Sequence, residues 1–244
     1  LFATQYTYEE DSFDDQYDKD ATFPRVYYKI NTDKDLVIDE EGKYIVLNDS
    51  ERNTLSSQSG QTITLKNATF TGSTEAFDLG TYRNASYNNY NTVLTNVNIL
   101  NVTVTNGVGN RYDKMSPVVY GYGKTEFNNC VIKGAKNTAD GYTAYDIGVP
   151  NKSVCTINGG EYGSIYLWSH AKATINNAKV DRIDSAANKE GKIGKLVIGS
   201  GTTVGVINLT DPDYTPVLTI EEGATVGKIV YKGVEYTVEE WNNR

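Results

Sequence analysis

The residues of this chain with the greatest capacity for chemistry are its single histidine, its carboxylates and its tyrosines. His170 has Trp168 two positions before it and Tyr166 four before, so a strand here would turn all three to one face. A histidine that activates a nucleophile needs one presented beside it, and no Gly-x-Ser-x-Gly elbow accompanies this one. Nor is there a glycine-rich phosphate loop or a metal-ligand spacing. His170 therefore reads as a packing or surface residue at the margin of an aromatic face, not as a catalyst. Glycoside hydrolysis requires two carboxylates about 5 to 9.5 Å apart across one bond. Asp181, Asp184 and Glu161 are the acids whose spacing would allow such a separation.

The tyrosines concentrate in three segments, 71–91, 105–124 and 135–152. These hold Tyr82, Tyr87, Tyr90, Tyr112, Tyr120, Tyr122, Tyr142 and Tyr145, interspersed with Asn88, Asn89, Asn110, Asp113, Asp140 and Asp146. A tyrosine offers a flat apolar ring to a sugar face and a hydroxyl to its rim, at a small ordering cost. With Trp168 and His170, the eight tyrosines form a candidate ligand face for a neutral glycan or a protein. The competing reading is that they only pack their own loops onto the surface beneath.

The elements that must position these residues are visible as an internal repeat. Leu65 to Phe70, Leu94 to Ile99, Phe127 to Ile132, Ile157 to Tyr162 and Ile175 to Val180 share one frame: apolar, polar, Asn or Gly, mostly small, variable, apolar. Ile198 to Val204 and Ile220 to Val226 repeat it with one extra residue, and Ile38 to Tyr44 resembles the last of these. Three residues beyond the second apolar position an isoleucine returns in Ile165, Ile183, Ile207 and Ile229. Each apolar-x-apolar run turns one face inward, and the Asn or Gly that follows supplies a left-handed corner. Such units bury their apolar sides only by stacking, which makes ladders of like residues, including a corner Asn ladder of Asn67, Asn96, Asn129 and Asn177.

The pattern predicts an all-β chain, a right-handed parallel β-helix solenoid of about seven to eight coils with end caps. An acidic segment and cap spans 1–35, the β-helix 36–233 and a C-terminal cap 234–244. The three tyrosine-bearing segments read as insertions that leave one side of the stack, so loss of Tyr120, Tyr142 and Tyr145 is expected to leave stability nearly unchanged. Thr237 to Glu240 is a capping-box pattern opening a short helix, with Trp241 available to cover the last coil. Cys130 and Cys155 fall at non-equivalent positions of the frame and read as free thiols.

On these residues the sequence resembles the right-handed parallel β-helix superfamily, with its pectate-lyase-like enzymes, phage tailspikes and bacterial surface adhesins. The resemblance covers about residues 36–233 and implies architecture far more than activity. The polygalacturonase-like branch implies an Asn-Thr-Asp segment, an Asp-Asp pair, Gly-His-Gly and Arg-Ile-Lys. Here Gly-His-Gly is absent, Asp14-Asp15 lies in the tail, and Arg182-Ile183-Asp184 is a partial echo. Pectate-lyase-like chemistry would imply calcium carboxylates and a basic residue. Arg83, Arg111 or Arg182 with Asp113, Asp140 or Asp146 would have to serve, and no motif selects them.

The net charge of −8 argues against nucleic acid or an anionic lipid surface as the main partner, and no run of about 18 apolar residues spans a membrane. Glu9 to Asp20 carries seven acidic residues and one Lys. It reads as a solvated linker or amphipathic cap; calcium is the alternative, though the glycine of an EF-hand loop is missing, and no other cofactor is expected. The chain begins at Leu1, which fits removal of an export signal and an extracellular or cell-surface location. The functional expectation is an exported, non-catalytic binding or adhesion module. A polysaccharide lyase or glycoside hydrolase on the same scaffold, or a structural spacer, are the alternatives.

Overall fold

The computed structural model describes residues 5–14, 22–47, 52–55, 57, 60–80, 91–105, 115–138, 140–168, 170–185, 194–209 and 217–244. It is all-β apart from one short helix, and most strand pairs are parallel. The N-terminal strands are β1 (Tyr6–Asp14), β2 (Thr22–Ile30), β3 (Leu36–Leu47), β4 (Arg52–Leu55), β5 (Thr62–Thr74), β6 (Ala76–Leu79), β7 (Asn91–Thr95) and β8 (Asn98–Leu100). There follow β9 (Thr103–Val104), β10 (Met115–Gly121), β11 (Lys124–Lys133), β12 (Lys136–Asn137), β13 (Thr143–Val149) and β14 (Val154–Leu167). The last are β15 (Lys172–Asn176), β16 (Lys179–Ser185), β17 (Lys195–Ile198), β18 (Thr203–Leu209), β19 (Val217–Ile220), β20 (Thr225–Tyr231), β21 (Val234–Tyr236) and α1 (Val238–Asn242).

A first column of parallel pairs runs β3, β5, β7, β11, β14, β15, β17, β19. Within it the first apolar position of the frame stacks in register: Ile38, Leu65, Leu94, Phe127, Ile157, Ile175, Ile198 and Ile220 lie opposite one another in that order. All are fully buried except Ile220, which lies in the last strand of the column and is only partly covered.

The corner takes the expected form. Asn67, Asn96, Asn129, Gly159 and Asn177 have φ of 58, 52, 51, 74 and 49°, the left-handed region that Asn and Gly tolerate. Hydrogen bonding between side chains is stronger one position earlier than expected. Asn96 donates to Asn67 at 3.4 Å, whereas Asn158 donates to Asn128 and Asn176 to Asn158 at 3.0 Å each. Those three residues still lie on strands, where successive side chains stand parallel at the strand spacing.

A second column runs β3, β5, β8, β11, β14, β16, β18, β20 and stacks Phe70, Ile99, Ile132, Tyr162, Val180, Val204 and Val226. The isoleucine that returns three residues later is explained by a bend. Faces of a straight strand alternate with period 2, so two inward residues three apart require the chain to turn between them. Gly163, Asp181, Gly205 and Gly227 occupy that turn, where regular pairing is interrupted. A Cβ on Gly205 would stand 2.5 Å from the Asp181 carbonyl oxygen, so the backbones approach too closely for a side chain there.

Beyond the bend the isoleucine row extends upward through a third column: Ile183, Ile165, Ile147, Val119, Phe77, Asn53 and Val26 are successive partners. This corrects the reading of 71–91, 105–124 and 135–152 as insertions outside the stack. They contribute β6, β10 and β13, which carry this column. The variable length between the second and third inward positions, as from Ile132 to Ile147 against Tyr162 to Ile165, hides the equivalence from a fixed-phase reading.

At the N-terminal side β1 and β2 form an antiparallel hairpin, and Tyr28 on β2 enters the core with its hydroxyl donating to Glu40 at 3.1 Å. The acidic segment is thus strand up to Asp14, and residues 15–21 lie outside the described residues. At the other side β21 pairs antiparallel to β20, and Thr237 caps α1 in a reciprocal bond with Glu240. Trp241 meets the rings of Tyr231 and Tyr236 edge-on at 5.7 and 5.9 Å, as a cover for the last strands. Both cysteines are free and buried, and burial pushes their thiols up, to about 11 for Cys130 and about 12 for Cys155.

Two tests follow from the stacking. Ile175→Asp buries an unpaired charge between Ile157 and Ile198 and is expected to cost at least about 4 kcal/mol in chemical denaturation; an unchanged midpoint would place Ile175 outside the core. Asp39 is held at about 2, below its ordinary value, by the Asn67 amide, the Glu41 N–H and the Lys66 ammonium. A lowered folded-state value stabilises above the unfolded one and is lost as pH falls toward about 2. Asp39→Asn should therefore flatten the acid limb of a stability-against-pH curve between about pH 4 and 2, and an identical limb would show that Asp39 is not so held.

Candidate functional site

The described candidate residues divide sharply. Tyr82, Tyr87, Tyr90 and Tyr112 lie outside the described residues. Tyr120 is on β10 and Tyr145 on β13, so both stand on the third strand column and not on loops, while Tyr122, one residue past the end of β10, is tied to β6 by its N–H to the Leu79 carbonyl at 2.8 Å. They are 7, 5 and 5 % exposed. Tyr142, just ahead of β13, is partly buried, as is Trp168 at the end of β14. His170 is in a turn with φ of 62°, beyond the last strand residue, Leu167. The alternation that would align it with Trp168 has ended by then, which corrects its placement on the same strand face; histidine is among the residues that accept this backbone region.

What the fold brings together is a row of rings on the outer side of this column. Tyr120, Gly148, Tyr166 and Asp184 are successive partners on β10, β13, β14 and β16. Tyr122 stacks on Tyr120 with centroids 5.8 Å apart and planes within 6°. Tyr120 meets Trp168 at 6.0 Å, Trp168 meets Tyr166 edge-on at 5.0 Å, and Tyr166 meets Tyr145 at 5.0 Å. Gly148 makes this possible: a Cβ there would lie 2.4 Å from Pro117 Cγ and 2.7 Å from Trp168 Cζ3. The indole lies across a gap that only glycine leaves open.

Polar groups around the rings are paired. Asp78 lies beside Tyr120 in register and accepts from Arg52 Nε and Nη2 at 3.0 Å each, both side chains being buried. Asp184 accepts from the Tyr145 hydroxyl and, at 2.7 Å, from Arg182 Nε. Burial first, and the bond to Asp184 second, raise the Tyr145 hydroxyl well above its ordinary value. Asp146 accepts from the N–H groups of Ala135 and Ser164 at 2.8 and 2.6 Å and from Ser164 Oγ at 3.0 Å. Its carboxyl is raised, chiefly by burial. Of the acids considered for hydrolysis, Asp184 is thus engaged, and Glu161 is paired with Lys133 at 2.7 Å.

A second feature is a half-open depression of about 270 Å³ on the outer side of the first column, lined by Thr62, Asn91, Lys124, Glu126, Val154 and Thr156 among others. No motif marks it, since most of its residues sit at outward positions where any polar side chain is accepted. Among the described residues no group of three His, Cys, Asp or Glu could hold a metal ion, and no helix is long and apolar enough to cross a membrane. No family model, curated protein or solved structure matches the chain.

The burial of the tyrosines reverses the expected effect of removing them. Tyr145→Ala is expected to lower stability by about 3 kcal/mol in urea denaturation, and Tyr145→Phe, which leaves Asp184 short of one donor, by about 1 to 2 kcal/mol. Wild-type midpoints in both variants would mean that the ring row is not packed as described.

Proposed function

We propose that the chain is a right-handed parallel β-helix of the pectate-lyase-like superfamily, in its surface and adhesin branch, and that it is exported to act as a non-catalytic binding module. Its partner on this reading is a glycan or a cell-surface protein, met at the outer face of the third strand column. The in-register columns of parallel pairs support the architecture. The observation that carries the function is Trp168: it is the partly open ring of an otherwise buried row, packed closely against Gly148 and edge-on to Tyr166. A rigid indole face with packed rings behind it suits stacking against a sugar face, because little conformational freedom remains to be lost on binding. The pairing of Asp78, Asp146 and Asp184 with protein donors favours binding over hydrolysis, since a catalytic acid or nucleophile must present its oxygen to substrate.

A glycan-array screen of the wild type, followed by titration of any bound sugar, tests this reading. In a Trp241→Phe background Trp168 is the sole tryptophan, and its emission should shift on binding. Trp168→Ala should weaken binding by at least about tenfold, with circular dichroism confirming that the strands remain. Undiminished binding in that variant would move the ligand to another face, and a blank array would leave the protein-partner or spacer readings.

A further inference from the structure

Lys124, Val154, Lys172 and Lys195 are successive register partners on β11, β14, β15 and β17. The three lysines are exposed on the outer side of the first column. Lys172 and Lys195 stand directly opposite each other at the strand spacing of about 4.8 Å, an arrangement of like charges that is destabilising. Elsewhere Lys29, Lys43, Lys66, Lys133 and Lys228 each pair with a carboxylate. Lys34, Lys136 and Lys152 stand singly without one among the described residues, so it is alignment in one register line that sets Lys124, Lys172 and Lys195 apart. Among the described residues Lys124, Lys172 and Lys195 have no acidic partner, in a chain of net charge −8 that offers many. A line of unpaired cations is what remains when the counter-charge comes from outside.

We infer that this face is a second binding site, for a linear glycan carrying sulfate esters and lying along the strand stack. The charges fall about 4.8 Å apart between Lys172 and Lys195 and about 9.6 Å, two strand spacings, between Lys124 and Lys172. Thr156 and Thr174 face each other two residues along from the lysine line and offer hydroxyls to ester oxygens or sugar hydroxyls. Beyond them Asn128, Asn158 and Asn176 form the amide ladder. The depression at Lys124, Glu126, Val154 and Thr156 gives the upper part of this line a concave seat. Sulfate is favoured over carboxylate because the cations are all lysines: an ammonium is a point charge suited to a tetrahedral oxyanion, whereas planar carboxylates are matched by the arginine fork. Nucleic acid is disfavoured because single-strand sites interleave cations with stacking rings. The outward positions here, from Lys124 and Glu126 through Val154 and Thr156 to Lys195 and Val197, carry none.

The test is calorimetric titration of the full chain with a heparin-derived octasaccharide, its desulfated counterpart, a polygalacturonate oligomer and oligothymidylate. The sulfated sugar should bind, more weakly as salt is raised, and the other three should bind at least about tenfold less tightly. Lys124→Gln, Lys172→Gln and Lys195→Gln combined should reduce binding of the octasaccharide by at least about tenfold without lowering Tm, since relief of the Lys172–Lys195 repulsion can only raise it. The same change at Lys29, Lys66 and Lys133, and Trp168→Ala, should leave it intact; the latter separates this site from the aromatic one. Absence of binding, equal binding to the combined lysine variant, or preference for the carboxylate polymer or oligothymidylate would each overturn the assignment.

Discussion

Everything in this molecule depends on parallel strands meeting in register at one fixed spacing. A side chain at a given position of the repeat is then always in contact with its equivalents on the strands above and below. Each row must be compatible with itself. The inward rows satisfy this with apolar residues of similar girth, from Ile38 through Phe127 to Ile198. The row of Asn128, Asn158 and Asn176 satisfies it by having amides that both donate and accept, so that one residue type can bond to copies of itself. The bend at Gly205 and Gly227 satisfies it by removing the side chain where backbones close in.

The same constraint explains what was legible in the sequence. The frame from Leu65 to Ile198 is readable because corner and inward positions are separated by constant short distances, so composition and phase agree. The corner asparagines betray their left-handed backbone through residue type alone. The third column was not legible above Ile165, because Ile147, Val119 and Phe77 follow the second column at unequal distances and the intervening residues resemble loop. On sequence alone Tyr120 and Tyr145 therefore read as exposed loop residues. Their burial comes from neighbours on β6, β13, β14 and β16, which are far away in the sequence. Trp168 was identifiable as an aromatic, but its geometry depends on Gly148, and nothing marks that glycine until the register sets it between Tyr120 and Tyr166.

Outward faces of strands are ordinarily solvated, and the third column departs from that rule. Its outer row contains Asp78, Tyr120, Tyr166 and Asp184, all buried, and Asp78 is paired there with the buried Arg52. Burying charge is unfavourable unless every polar atom is matched, and a bidentate guanidinium–carboxylate contact is the geometry that does this best. Asp184 is matched on one side by a phenol and on the other by a guanidinium. Such networks fix side-chain positions more than they add net stability. The rings among them are therefore a rigid surface, with Trp168 as its accessible margin.

The first column shows the opposite regime. Its outward residues are threonines, valines, asparagines and lysines, with Asp39 and Glu126 as acids among them, at exposed or half-exposed positions, and the lysine line is held by nothing but its own strands. Inward residues answer to the stack, so a change there is felt by both neighbours and by overall stability. Outward residues on this column answer to solvent or to a ligand, and they can vary in charge with little effect on folding. Two like charges set opposite each other by the register are consequently a stronger signal here than they would be on an irregular surface. The strand spacing fixes their proximity, and the flexible ends of the side chains can relieve only part of it.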